Sequence, residues 1–267
     1  MAENKRFLVD VGMRDLPFPI TVASRDHPNG QPTVANISVS ARIYHEFEAR
    51  WIDRFIQTIH KHQGEIRTRT LKNNIRDYLK VLDATSVRVD FDYPFFIEKR
   101  TPASKEACLV KYQCRYSARI TSTDDEPRVS QRVIVPIITT YPASNADREG
   151  GLFGQLTNIQ VDIESSSEVH VEEVVDKVEA KALSPVYSFL TEEDQAHVIH
   201  IVHTREKSSV VVTDEISESL ASDPAITWYS LKASNFGMLH NYSTIIGTET
   251  TMMSPSGPPR KKQNSSD

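Results

Sequence analysis

Apolar residues in this chain switch from alternation to helical spacing and back, and do so twice. That double switch constrains the fold more than any other feature. Ile37, Val39 and Ala41 alternate as one face of a strand. Trp51, Ile52, Phe55, Ile56 and Ile59 then recur at three and four residues. Leu71, Ile75, Leu79 and Leu82 do the same, with Gly64 between the two runs as a helix stop. Alternation returns through Val87, Val89 and Phe91, then from Val110 to Ile120, then from Val129 to Ile138 after a polar turn.

The second half repeats this order. Ile159, Val161 and Ile163 alternate, and Val171, Val174, Val175 and Val178 follow at helical spacing. Thr191, followed by Glu192, Glu193 and Asp194, reads as an N-cap opening another helix. Ile216 and Leu220 continue helical spacing before two last strands near 226–233 and 242–247. What repeats is architecture, not residues. The prediction is an α+β chain of two tandem modules, 35–145 and 146–250, with antiparallel sheets and helices packed on one face. Pro17, Pro19, Pro28, Gly30 and Pro32 mark 1–34 as irregular or edge structure. Pro, Gly, Ser and Lys mark 251–267 as a solvated tail.

At 267 residues, with 39% apolar and 25% charged, the chain can bury a sizeable core. A net charge of −5 argues against a general nucleic-acid binder, despite the local run Arg260, Lys261 and Lys262. No stretch approaches the ~18 apolar residues of a membrane span, and the first residues do not resemble a signal peptide. A cytoplasmic protein is expected. Cys108 and Cys114 share one face of one strand, too far apart to bridge, so both are expected as reduced thiols.

His197, His200 and His203 stand i, i+3, i+6, where two neighbours could share a metal. Gln195, Thr204, Arg205 and Glu206 surround them, and no carboxylate or cysteine stands at a spacing that completes a site, so an ordinary polar helix face is the better reading. His60 and His62 end a charged helix, where cations suit the dipole. His45 and His240 lie at element ends, as loop histidines or as imidazoles able to move protons near neutral pH. The loop after Ile138 offers Thr139, Thr140, Tyr141 and Ser144. Serine-hydrolase, P-loop and paired-cysteine patterns are all missing.

Three segments, in this order and at these distances, carry a resemblance. They are Val11-Gly-Met-Arg-Asp-Leu-Pro-Phe-Pro-Ile, Ser184-Pro-Val-Tyr-Ser-Phe-Leu, and Asn235-Phe followed by His240-Asn241. The chain resembles the type IB GTP cyclohydrolases from about residue 10 to 250. The resemblance implies a tunnelling fold (T-fold) of two modules, homo-oligomeric barrels, and active sites between subunits. It also implies opening of the imidazole ring of GTP by a water on a metal held by cysteine, histidine and glutamate. The family's Cys-Pro-Cys-Ser loop matches Tyr141-Pro-Ala-Ser144, so Tyr141 stands for the ligand cysteine. Phe153 stands for the ligand histidine, Gln155 keeps the glutamine after it, and Leu156 replaces an arginine. Thr204 falls near the ligand glutamate, and Gly237 replaces the purine-anchoring glutamate. His240 and Asn241 remain, Tyr242 replaces a second histidine, and His45 matches a histidine early in the first module.

These replacements lead to the expectation of a divergent member without the metal, performing acid/base chemistry on a planar or cyclic substrate other than GTP. His240, His45, Tyr141 and Tyr242 would be catalytic, and Gln155, Phe153, Asn241 and Ser144 would bind substrate. No metal ligand and no cofactor are expected, and the partners are a small molecule and further copies in a dimer or tetramer. A non-catalytic subunit or a pterin or purine sensor is the alternative. A third reading is a GTP cyclohydrolase with a rebuilt metal site recruiting His200, His203 or Glu206.

Overall fold

The computed structural model describes residues 8–44, 50–62, 64–123, 126–237, 239 and 241–250. His45, His240 and the expected tail 251–267 lie outside the described residues. In chain order the elements are β1 (Leu8–Val22), β2 (Gln31–Tyr44), α1 (Arg50–Lys61), β3 (Glu65–Ile66) and α2 (Thr68–Val81). Next come β4 (Ala84–Arg100), β5 (Ala107–Thr121), β6 (Arg128–Thr140), β7 (Gly154–Ser165) and α3 (Val171–Glu179). The chain continues through β8 (Ser184–Pro185), α4 (Glu192–Thr204), α5 (Ser209–Ala221), β9 (Ile226–Phe236) and β10 (Ser243–Glu249).

The strands form one ten-stranded sheet in the order β10-β9-β7-β6-β5-β4-β2-β1-β3, with β8 added beside β6. All pairings are antiparallel except β1 with β3. The α+β expectation holds, with one continuous sheet where separate sheets were expected. At its middle, β5 and β6 pair only along residues 113–119 and 128–134. Further along, β6 turns to β8, with Ile137 opposite Pro185 and Ile138 opposite Ser184.

Of the expectation of irregular or edge structure over 1–34, the irregular part is corrected, because residues 8–22 form a fifteen-residue strand near the end of the sheet. Pro17 and Pro19 sit within it, opposite Asn36 and Val34. Among the described residues, the only strand beyond β1 is β3, which pairs with Thr21 and Val22 alone. A proline there costs no ladder bond, provided its ring faces the open side. The strand also kinks at Asp15, where φ is 58° and the register with β2 shifts between Met13 and Leu16.

One face of the sheet is apolar by strict alternation. Val87, Val89, Phe91, Tyr93 and Phe95 of β4 are buried there with Val110, Tyr112, Cys114 and Tyr116 of β5. Phe55, Ile75, Val175 and Ile216 bring α1, α2, α3 and α5 onto that core. Each fully buried side chain of this size contributes about 1.5–3 kcal/mol. The expectation of helices on one face fails for α4. Its Val198 and Val202 cluster with Leu183 and with Ile138, which alternates with the inward Ile137 and so belongs to the opposite face. Thr191 and Asp194 cap α4 reciprocally, as the sequence signalled. Cys108 and Cys114 are buried free thiols.

Candidate functional site

On the inward face, β6, β7 and β9 turn polar at one shared end. β6 passes from Val133, Val135 and Ile137 to Thr139, β7 begins with Gln155 and Thr157, and β9 ends with Asn235. Strand pairing sets Thr139 opposite Gln155 and Thr157 opposite Asn235. These buried groups satisfy one another. The Gln155 amide donates to Thr139 Oγ1 at 3.3 Å and to the Thr140 carbonyl at 3.4 Å. Thr139 and Thr157 share a hydroxyl bond of 2.8 Å, and Thr157 donates to Asn235 Oδ1 at 2.9 Å. Asn235 in turn donates to Thr244 Oγ1 on β10 at 3.2 Å.

Beyond this chain of bonds, Tyr141 stacks on Phe153 with ring centroids 4.9 Å apart and planes 19° apart. The backbone fixes both rings. Tyr141 N–H donates to the Phe153 carbonyl at 2.9 Å, and Ser144 donates back to the Tyr141 carbonyl through its N–H at 3.0 Å and its hydroxyl at 2.7 Å. Gly237, just after β9, comes so close that a Cβ there would lie 2.8 Å from Tyr141 Cε2. Thr140 is tied to the segment after α4, donating its N–H to the Lys207 carbonyl and accepting the Lys207 N–H at 2.7 Å.

The structure thus brings Tyr141, Phe153, Ser144 and Gln155 together. Gln155 is buried with its amide engaged, and the stacked rings lie beside it. Asn241 and Tyr242 are exposed just before β10. Sequence reasoning missed Thr157 and Thr244, and it read Asn235 only as part of a motif. The readable signal was that the inward parity of β7 holds while its chemistry changes from Ile159 to Thr157 and Gln155.

The remaining histidines are placed plainly. His197, His200 and His203 are exposed on α4, and Thr204 folds its hydroxyl back onto the His200 carbonyl. His60 packs edge-on against Phe18, and His62 lies 3.3 Å from Asp77. Among the described residues, no group of three or more His, Cys, Asp or Glu side chains could hold a metal ion. No helix among them is long and apolar enough to cross a membrane.

Comparison with known proteins adds the following. Residues 2–245 match the family model described as type I GTP cyclohydrolase folE2. A protein of Syntrophotalea carbinolica named GTP cyclohydrolase FolE2 is 28% identical over 248 residues, covering 92% of each chain. The FolE2 of Pseudothermotoga lettingae is 31% identical over 238 residues, covering 89% of this chain and 91% of its own. Among solved structures, a uricase from Bacillus fastidious superposes with a TM-score of 0.57 at 11% identity, covering 91% of this chain and 93% of that one. The urate oxidase of Bacillus sp. TB-90 gives the same TM-score at 9% identity, covering 91% and 99%. At such identities the likeness is one of fold.

Proposed function

The chain belongs to the type I GTP cyclohydrolase FolE2 family, and from that premise we propose that it acts on GTP as a cyclohydrolase, at the polar end of β6, β7 and β9. The match over residues 2–245 carries this reading, because it runs through every element that builds the site. It also corrects the expectation of a substrate other than GTP, together with the non-catalytic alternative. Relatives that align along nine-tenths of the chain are named GTP cyclohydrolases, and a change of substrate has no comparable support.

In this reading the chain is a tandem T-fold of two units, β1 to β5 and β6 to β10, each with two long strands, a helical stretch (α1 and α2 in the first, α3 to α5 in the second) and two further strands. In that division the boundary falls between β5 and β6. The Tyr141–Phe153 stack offers an aromatic wall to a flat purine. Ser144 and Asn241 supply hydrogen bonds, and Gln155 positions the wall through Thr139 and Thr140. Tyr242, His240 and His45 complete the site, with the imidazoles as the groups that move protons at neutral pH. Tyr141, Phe153 and Gly237 are three departures from the family pattern, and Tyr141 meets both of the others, consistent with joint replacement in a divergent member. The family's metal does not fit the positions inherited for it, since Tyr141 and Phe153 present packed rings and Thr204 an internally bonded hydroxyl. Exposed Leu156 and Phe236, directly opposite each other, and exposed Leu239 and Tyr242 nearby offer an apolar edge on which a second copy would complete the site. A cytoplasmic setting belongs to the same reading and suits two reduced core thiols.

The test is GTP binding by calorimetry, alongside turnover followed by release of formate and by pterin fluorescence. GTP should bind and be consumed. Tyr141→Ala should weaken GTP binding about tenfold while Tyr141→Phe retains it, as stacking requires. Wild-type protein that neither binds nor consumes GTP would end this reading.

A further inference from the structure

Away from α4, the face of the sheet opposite the main core carries two rows of charge that differ in kind. In one row, Asp92 of β4, Arg115 of β5, Arg132 of β6 and Asp162 of β7 lie side by side across the strands. This row is balanced. Arg115 grips Asp92 through two bonds of 2.6 and 2.9 Å, and Arg132 bonds Asp162 at 2.7 Å.

Further along the same strands, Ser40, Arg88, Arg119 and Arg128 form the second row, each directly opposite the next. Three arginines are therefore set abreast on neighbouring strands, although like charges in directly opposed positions destabilise a sheet. Arg88 leans along its own strand to Asp90 at 3.0 Å. Arg119, in the middle, makes no side-chain hydrogen bond or ion pair with any described residue, and it is exposed. Arg42, held by Asp10, borders the row. Asp10, Arg42, Arg88, Arg119 and Arg128 line one open groove of about 640 Å³ with Ser40, Ser86 and Thr121.

We propose that this row is a binding site for a di- or triphosphate group. Adjacent strands lie about 4.8 Å apart, so the three arginines span about 10 Å. That length suits two or three linked phosphates better than one. Guanidinium forks pair with phosphate oxygens through parallel bonds, and serine and threonine hydroxyls add neutral donors. An anion in the row would offset the repulsion among the arginines and give Arg119 a charge-assisted contact. The site is not the one built around Tyr141. Arg128 opens β6 and Thr140 closes it, and a strand of thirteen residues separates the two ends by about 40 Å. The inference is independent of the cyclohydrolase reading.

The test uses the full chain and inorganic tripolyphosphate, which has no base for the Tyr141 site to recognise. Wild-type protein should bind it in calorimetry and show a higher Tm in its presence, with affinity falling as salt is added. Arg119→Ala should lose about tenfold in affinity and most of the Tm shift, while its own Tm without the anion stays equal or rises as repulsion is relieved. Arg54→Ala, on the exposed side of α1, should behave as wild type. ATP binding no tighter than tripolyphosphate would assign recognition to the phosphates alone; tighter ATP binding, equally lost in Arg119→Ala, would assign a nucleotide. The proposal is overturned if tripolyphosphate does not bind, or if Arg119→Ala binds it as wild type does. It is also overturned if that variant changes only the oligomeric state, which would make the row a contact between copies.

Discussion

A methyl group at residue 237 would sit 2.8 Å from the ring of Tyr141, a ring already held between that backbone and Phe153. Gly237→Ala should therefore cost about 1–3 kcal/mol by overpacking, measured by urea denaturation. In a Tyr141→Ala background the same change should cost almost nothing, because the obstructing ring is gone. Equal costs in both backgrounds would show that the contact is not what excludes a side chain at 237. Residues of this kind were readable only through the family motif. Tyr141, Phe153 and Gly237 stood at motif positions, but nothing in the sequence says that they touch, since 84 or more residues separate Gly237 from the other two. Thr157 and Thr244 were not readable, because a threonine is an ordinary strand residue and its bonding depends on partners supplied by other strands.

Among elements, legibility followed periodicity. The two helices of the first half bury Trp51, Phe55, Leu71 and Ile75 as their spacing predicts. The first strand was obscured because its prolines, tolerable at an edge, look like breakers to a reader who does not know which strands have neighbours. The start of α4 was legible and does more than its cap signals. Asp194 not only bonds Thr191 but also accepts from Ala103 N–H and Ser104 N–H, each at 2.8 Å, and from the Ser104 hydroxyl at 2.7 Å. It thereby latches the β4–β5 turn onto the helix. Burial opposes the charged carboxylate, but bonds from Ser104, Thr191 and Ala103 prevail and hold its pKa far below the ordinary 3.8. A carboxyl depressed on folding stabilises fully above its unfolded value, and that stability is lost as the pH falls toward the folded one. Asp194→Asn should lower Tm by a few degrees at neutral pH, and the gap to wild type should narrow only below about pH 3.8. A gap that is constant down to the acid limit would remove the charge from this account.

At the scale of the molecule, the weak place is the middle of the sheet, where β5 and β6 pair along seven residues and then part. Besides the Asp194 latch, the acidic side of α3 ties the halves together. Glu172 accepts from Ser24 beyond β1, and Asp176 pairs with Arg25 at 2.7 Å. Glu179 pairs with Lys99 of β4 and accepts the Tyr112 hydroxyl of β5 at 2.8 Å. These contacts differ in weight. Arg25 and Asp176 are largely solvated, and such pairs contribute under about 1 kcal/mol. Lys99 and Glu179 are only 13% and 12% exposed, and their partner Tyr112 is held protonated by burial and by that carboxylate. Removing one member leaves a buried charge without its counterion, a loss of about 3 kcal/mol or more. Glu179→Ala should therefore destabilise by that amount in urea denaturation, whereas Asp176→Ala should cost well under 1 kcal/mol. Lys99→Met with Glu179→Met should recover most of the loss, because two apolar side chains of similar length leave no charge stranded. If the double variant is no more stable than Glu179→Ala, the pair contributes through its bond to Tyr112 and not through its charges. If Glu179→Ala costs no more than Asp176→Ala, the tie between the halves lies in the shared apolar core and the Asp194 latch.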